Sequence, residues 1–144
     1  MIIDSTEFNP RFYQAAETAG QASANVLTVV LFGSQARDEA GDRSDIDLAL
    51  ITQDESLFLD GNHIISGRLR TVVDYLADKA LLAAGFDVGP EPGQYDLNTV
   101  SLASLADETD QLARDVLAQG RVLWFSHEFW QFAYHNPDNS ISLR

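Results

Sequence analysis

The run VLTVVLF, Val26 to Phe32, is wholly apolar or β-branched and shows no polar alternation. A strand with one face in water alternates apolar with polar residues, so this one reads as buried on both faces. Burial on both faces requires covering layers, and the flanking segments supply them. Residues 1–25 contain an amphipathic helix over Phe8 to Ala22, where Phe8, Phe12, Ala15, Ala16 and Ala19 recur at three- and four-residue spacing and Gly20 marks the end.

After the buried run, Ser34 to Glu39 can open a short helix, Gly41 to Arg43 is turn chemistry, and Ser44 to Thr52 is a second strand. The stripe Ile64, Ile65, Leu69, Val72, Val73, Leu76 and Leu81 predicts a helix from Ile64 to Ala84, stopped by Gly85. FDVGPEPGQYD, with two Gly and two Pro, is an excursion, and LNTVSLASL reads as a third strand. A helix from Asp107 to Ala118 follows, closed by Gly120, and RVLWF is a last short strand. This order of helices and strands predicts an α/β (α+β) fold, a small mixed sheet with helices packed on it, as a single domain over residues 1–144.

Composition narrows the function classes. The net charge is −13, with one lysine and eight arginines. Neutralising a phosphate backbone takes clustered Lys and Arg, so direct nucleic-acid binding is not expected. An acidic surface suits solubility, a basic protein partner or bound divalent cations. No apolar run is long enough to span a bilayer and MIIDSTEFNP lacks the features of a signal peptide, so the expected location is cytoplasmic and off the membrane. Without cysteine, a metal would have to be held by carboxylates or imidazoles.

Asp45 and Asp47 stand one residue apart in the second strand. Side chains two apart on a strand share a face, which sets this pair roughly 6.6 to 7 Å apart. Burying unpaired charge costs several kcal/mol per ion, leaving exposure, an arginine partner or a divalent metal as the solutions. Oxygen-only ligation favours Mg²⁺ or Mn²⁺, and Mg²⁺ held by one or two carboxylates commonly completes its shell with substrate phosphates. Gly33 and Ser34 end the buried run before a helix, where free backbone N–H groups face outward. Such a step is either a helix cap or a phosphate cradle; next to Asp-x-Asp the cradle gains a metal beside it.

The pattern G-S-x-A-R, a six-residue spacer, then S-D-x-D comprises Gly33, Ser34, Ala36, Arg37, Ser44, Asp45 and Asp47. At residue frequencies near 6%, seven fixed positions coincide by chance on the order of once in 10⁸ to 10⁹ starting points. The pattern resembles the signature of the nucleotidyltransferase superfamily that includes DNA polymerase β, and within it the minimal, MNT-type members. Weaker similarity runs from the first strand to LAQGRVLW. The resemblance implies Mg²⁺-dependent transfer of AMP from ATP to a hydroxyl, with metal on Asp45 and Asp47 and nucleotide on Gly33, Ser34, Arg37 and Ser44. Arg37 either reaches a phosphate or pairs with a carboxylate such as Asp42. Similar proteins serve as antitoxins beside HEPN-type ribonuclease toxins, modifying a tyrosine of the toxin, which implies a protein partner here, or a homo-oligomer. The alternatives are a transferase for a small molecule such as an antibiotic, and a non-enzymatic partner that keeps the fold.

Members of the family usually carry a third carboxylate on the strand after the long helix. Counting back from RVLW without a gap puts Ser101 at that position, and a neutral serine cannot be a metal-binding base. The alternatives are Asp96, if the strand starts five residues earlier, no third carboxylate, or another residue such as Asp74. Asp38 stands where relatives commonly have Gly. His63, His127 and His135 have no shared metal spacing and read as surface or packing residues. The tail, residues 126–144, continues an aromatic run, WFSHEFWQFAYH, that reads either as a cover over the core or as an interface, and then turns polar at Asn136 and Pro137. Tyr134 in it has only its hydroxyl to recommend it as an acceptor.

Overall fold

The structure, a computed structural model, describes residues 2–3, 9–36, 45–53, 64–65, 68–69, 71–89, 91–107, 109–126 and 142–143; for 2–3, 34–35, 64–65, 68–69 and 142–143 the description is of the backbone alone. In chain order the elements are β1 (Ile2–Ile3), α1 (Pro10–Gln21), β2 (Val26–Phe32), α2 (Gly33–Ala36), β3 (Ile46–Thr52), β4 (Ile64–Ile65), β5 (Arg68–Leu69), α3 (Val72–Ala83), β6 (Tyr95–Ser101), α4 (Leu102–Leu105), α5 (Gln111–Gln119), β7 (Arg121–Phe125) and β8 (Ser142–Leu143). A mixed sheet runs in the order β6-β3-β2-β7-β1-β8. In it β3 is antiparallel to β2 and parallel to β6, and β7 is antiparallel to β2.

All seven residues of β2 are buried, as its unbroken apolar pattern predicts. Alternation divides them between two cores. Val29 and Leu31 join Leu48, Leu50 and Leu97 under α1 and α3, while Val30 and Phe32 join Ala49, Ile51 and Val100 under α5.

Helix α1 starts at Pro10 behind Asn9, whose side chain accepts the Arg11 N–H at 3.0 Å. It runs through Gly20 to Gln21, so Gly20 is not the stop signal that the sequence suggests. Gly20 is fully packed instead: a Cβ there would collide with the Trp124 ring. Close approach of α1 to β7 is what requires the missing side chain.

The predicted helix from Ile64 differs more. Residues 64–65 and 68–69 pair as a two-stranded antiparallel ladder, Ile64 opposite Leu69, and α3 begins only at Val72. Its start is fixed by a capping box: Thr71 Oγ1 accepts the Asp74 N–H at 3.0 Å, and the Asp74 carboxylate accepts the Thr71 N–H at 3.4 Å. The far end agrees with expectation. Phe86 N–H donates to Leu81 C=O at 2.9 Å and Gly85 N–H to Leu82 C=O at 3.1 Å, the Schellman pair.

The third long strand begins at Tyr95, two residues before the predicted start, and ends at Ser101, whose hydroxyl accepts the Ser104 N–H at 3.1 Å and starts α4. Helix α5 begins at Gln111 because Asp110 caps it through the Ala113 N–H, at 3.0 Å. Strand β7 matches RVLWF residue for residue. No described helix is long and apolar enough to cross a membrane.

Candidate active site

Three chain segments end at one place on the sheet. Phe32, the last residue of β2, lies opposite Asp47 of β3, and Asp47 lies beside Asp96 of β6 in the parallel register. Asp45 immediately precedes β3. One carboxylate oxygen from each of Asp45, Asp47 and Asp96 can be chosen so that all lie within 4.8 Å of one another. Asp45 and Asp47 are half-buried and Asp96 is buried.

Like charges at this separation are costly. At an effective dielectric of about 20, each pair repels by roughly 3.5 kcal/mol. Three such pairs converge, so the arrangement favours a cation among them, and an all-oxygen donor set matches a hard divalent ion such as Mg²⁺ or Mn²⁺. The residues present therefore fit the metal that the sequence implies.

Gly33 belongs to the same corner. Its φ is +72°, in the left-handed region, and a Cβ on it would lie 2.6 Å from Asp47 Oδ2. A side chain at position 33 would thus be strained and would also push into the carboxylate. Ser34 follows in α2, whose described part is a single turn, and its backbone alone is described. Arg37, Asp38, Asp42 and Ser44 lie outside the described residues, as do His63, His127, Tyr134 and His135.

Of the candidates for a third carboxylate, Asp96 is the one that meets the pair. Ser101 sits at the other end of β6, opposite Thr52, with its hydroxyl engaged in the α4 cap. Asp74 lies in the capping box of α3 and accepts the Thr99 hydroxyl at 2.6 Å, while Thr71 and Thr99 hydroxyls lie 3.0 Å apart. Those bonds tie α3 to β6 and hold Asp74 in a packing role. The gapless count back from RVLW runs through α5 and α4 and lands on Ser101, five residues past Asp96.

Sequence reasoning gave no role to Tyr95, the residue before Asp96. Its ring is buried on the opposite face, edge-on to Phe86 at 5.4 Å and to Phe12 at 6.4 Å between centroids. Its hydroxyl donates to the Arg11 C=O at 3.4 Å. Burial pushes its phenol above the ordinary tyrosine range, with the Arg11 charge opposing that shift. The aromatic signal was visible, but its place beside the aspartates depends on strand register. Asp107, held below the usual carboxylate range by the Thr109 hydroxyl and backbone N–H, is an exposed loop residue and no part of the cluster.

Residues 15–82 match the family model described as Polymerase beta, Nucleotidyltransferase. No curated protein matches the chain. Among solved structures, a toxin–antitoxin complex with AMP-PNP contains a chain 19% identical, with 87% of this chain and 92% of that one covered and a TM-score of 0.46. A nucleotidyltransferase from Sulfolobus solfataricus is 16% identical over 81% of this chain and 79% of its own, with a TM-score of 0.47. A complex of tri-AMPylated Shewanella oneidensis HEPN toxin with MNT antitoxin gives 18% identity, coverage of 88% and 87%, and a TM-score of 0.39. All three are distant likenesses.

Proposed function

We propose, for a chain whose residues 15–82 match the polymerase β nucleotidyltransferase family model, that Asp45, Asp47 and Asp96 carry out Mg²⁺-dependent transfer of AMP from ATP to a hydroxyl. The observation that carries this reading is the meeting of Asp96 with the Asp45 and Asp47 carboxylates across two paired strands. Asp45 and Asp47 would hold the metal, with the third carboxylate, Asp96, within reach of the same ion; when bound it neutralises the triphosphate and stabilises charge on the attacking and leaving oxygens.

The chain's own residues divide the remaining work. Gly33 and Ser34 are assigned to the phosphates, where backbone N–H groups can approach without a side chain intervening. Arg37 and Ser44 are assigned to the nucleotide on the signature alone. Asp96, buried on the neighbouring strand, takes the proton of the acceptor hydroxyl as its oxygen bonds to the α-phosphorus and the bond to pyrophosphate breaks. Asp45 and Asp47, less buried, are assigned as metal ligands.

The acceptor in this reading is a tyrosine of a HEPN-type toxin, with this chain as its antitoxin. That finer step rests on the resemblance of the Gly33 to Asp47 signature to minimal nucleotidyltransferases. The test is to incubate the protein with Mg²⁺, labelled ATP and the product of the adjacent gene. Label on the partner, lost in Asp47→Asn, supports the reading. Label only on a small hydroxyl compound would make the chain a small-molecule transferase, and no label with any nucleotide or acceptor would make it a binding protein.

A further inference from the structure

We infer that Tyr95 is a positioning residue for Asp96, holding its carboxylate against the Asp45 and Asp47 pair from the opposite face of the sheet; the inference rests on the proposed transferase reading.

Strand β6 ends the described sheet: β3 is its one strand partner there, and on its outer side only Val88 bridges to it, at Tyr95. Asp96 is its second residue, one place past that bridge and close to the strand end. Backbone bonds gather at this point: Ile46 N–H donates to Gln94 C=O at 2.9 Å, Tyr95 N–H to Asp87 C=O at 2.9 Å, and Gly89 N–H to Tyr95 C=O at 3.0 Å. These bonds fix the path of the backbone at Tyr95, and the side chain packed at position 95 sets how firmly that end of the strand is held.

The Tyr95 ring supplies that packing. It is buried between Phe12 of α1 and Phe86 after α3, both edge-on, and its hydroxyl reaches α1. It also borders an open concavity of about 220 Å³ lined by Arg11, Phe12, Ile46 and Phe86. Space on that side means that a smaller residue would leave the strand end less firmly packed. Because adjacent strand residues point to opposite faces, a turn at position 95 swings the Asp96 carboxylate.

The experiment compares Tyr95→Leu, Tyr95→Phe and the core control Val29→Ala in the full chain, reading Mn²⁺ affinity by calorimetry and AMP-transfer kinetics. Val29 is fully buried in the same core, opposite Leu50 and remote from the aspartates, so its variant reports loss of packing alone. Tyr95→Leu is expected to weaken Mn²⁺ binding about tenfold, within the ~10- to 100-fold range for groups that orient metal ligands. It should also lower kcat with little change in the KM for ATP. Tyr95→Phe keeps the ring and should stay within about twofold of wild type, and Val29→Ala should lose stability without losing Mn²⁺ affinity. If Tyr95→Leu fails to fold, Phe86→Leu removes the nearer edge contact and should show the same pattern at smaller size. Mn²⁺ affinity and kcat unchanged in Tyr95→Leu, or matched by Val29→Ala, overturn the positioning role. Failure of wild type to bind Mn²⁺, or equal binding by Asp47→Asn, overturns the transferase reading together with this inference.

Discussion

Strands β3 and β6 contribute carboxylates to the same cluster but hold them in different ways. Strand β3 is paired on both sides, to β2 and β6, and brings Asp45 and Asp47 within one short motif. Among the described strands β6 pairs with β3 alone, with a single bridge from Val88 on its other side, and it brings Asp96 from a distant part of the chain. The central strand therefore fixes Asp47 by the sheet itself, with Asp45 just ahead of it. The edge strand needs help from α1 and from the turn before it, and that difference predicts where substitutions act on chemistry and where they act on stability.

The largest expected effect follows from the central strand. Asp47→Asn preserves shape and removes the charge that the proposed metal requires. AMP transfer should fall by ~10²–10³-fold or more, the scale on which a single electrostatic contact to the transition state acts. The melting temperature should hold or rise, because one source of repulsion at the cluster is gone. A clear fall in melting temperature would mean that Asp47 serves the fold.

Next in size are two core truncations. Leu48 and Leu97 are both wholly buried in the same cluster and face each other in the β3–β6 register. Each change to Ala should cost about 2–5 kcal/mol. Leu48→Ala should cost more, since two flanking strands restrict collapse around the cavity, and denaturant unfolding would measure both. Equal costs would remove the distinction between centre and edge. Gly33→Ala should then cost about 1–2 kcal/mol from its left-handed backbone. It should weaken Mn²⁺ binding as well, because the added Cβ lies against Asp47.

These contrasts explain what could be read from the sequence. Strand β2 follows its apolar run to the residue, because a strand covered on both faces writes its limits as a change of hydrophobicity, and β7, half-buried along its length, also matches its predicted span. Asp45 and Asp47 were legible for a related reason, their spacing being local. Residues 64–65 and 68–69 depart from the predicted helix because β-branched residues at helical spacing also suit a strand, and two-residue strands are too short to show period two. Asp96 stayed one of several candidates, since its place depends on which residue of β6 pairs with Asp47. Register is decided by packing between distant segments, here by Tyr95, Leu97 and the core under α1 and α3.

Ser101→Ala tests that register directly. The change should leave AMP transfer within about twofold and cost roughly 1 kcal/mol, the worth of the N-cap it gives α4. Asp96→Asn should do the reverse. Loss of transfer in Ser101→Ala with activity kept in Asp96→Asn would restore the gapless alignment and undo the proposed role of β6.

The smallest effect is expected at high pH, from Tyr95. Its phenol is raised above the ordinary tyrosine value by burial, so the folded state holds that proton more tightly than the unfolded chain. The stability it contributes is fully present below the unfolded value of about 10. It is lost as pH climbs through the higher folded value, where ionisation favours the unfolded chain. Tyr95→Phe removes this proton and should keep a constant stability offset from wild type up to about pH 10, after which wild type falls faster. Denaturant midpoints at pH 8, 9.5 and 11 would follow the difference. Parallel curves throughout would mean that the ring meets water freely at the edge of the sheet, which would leave Asp96 to be held by its backbone ladder alone.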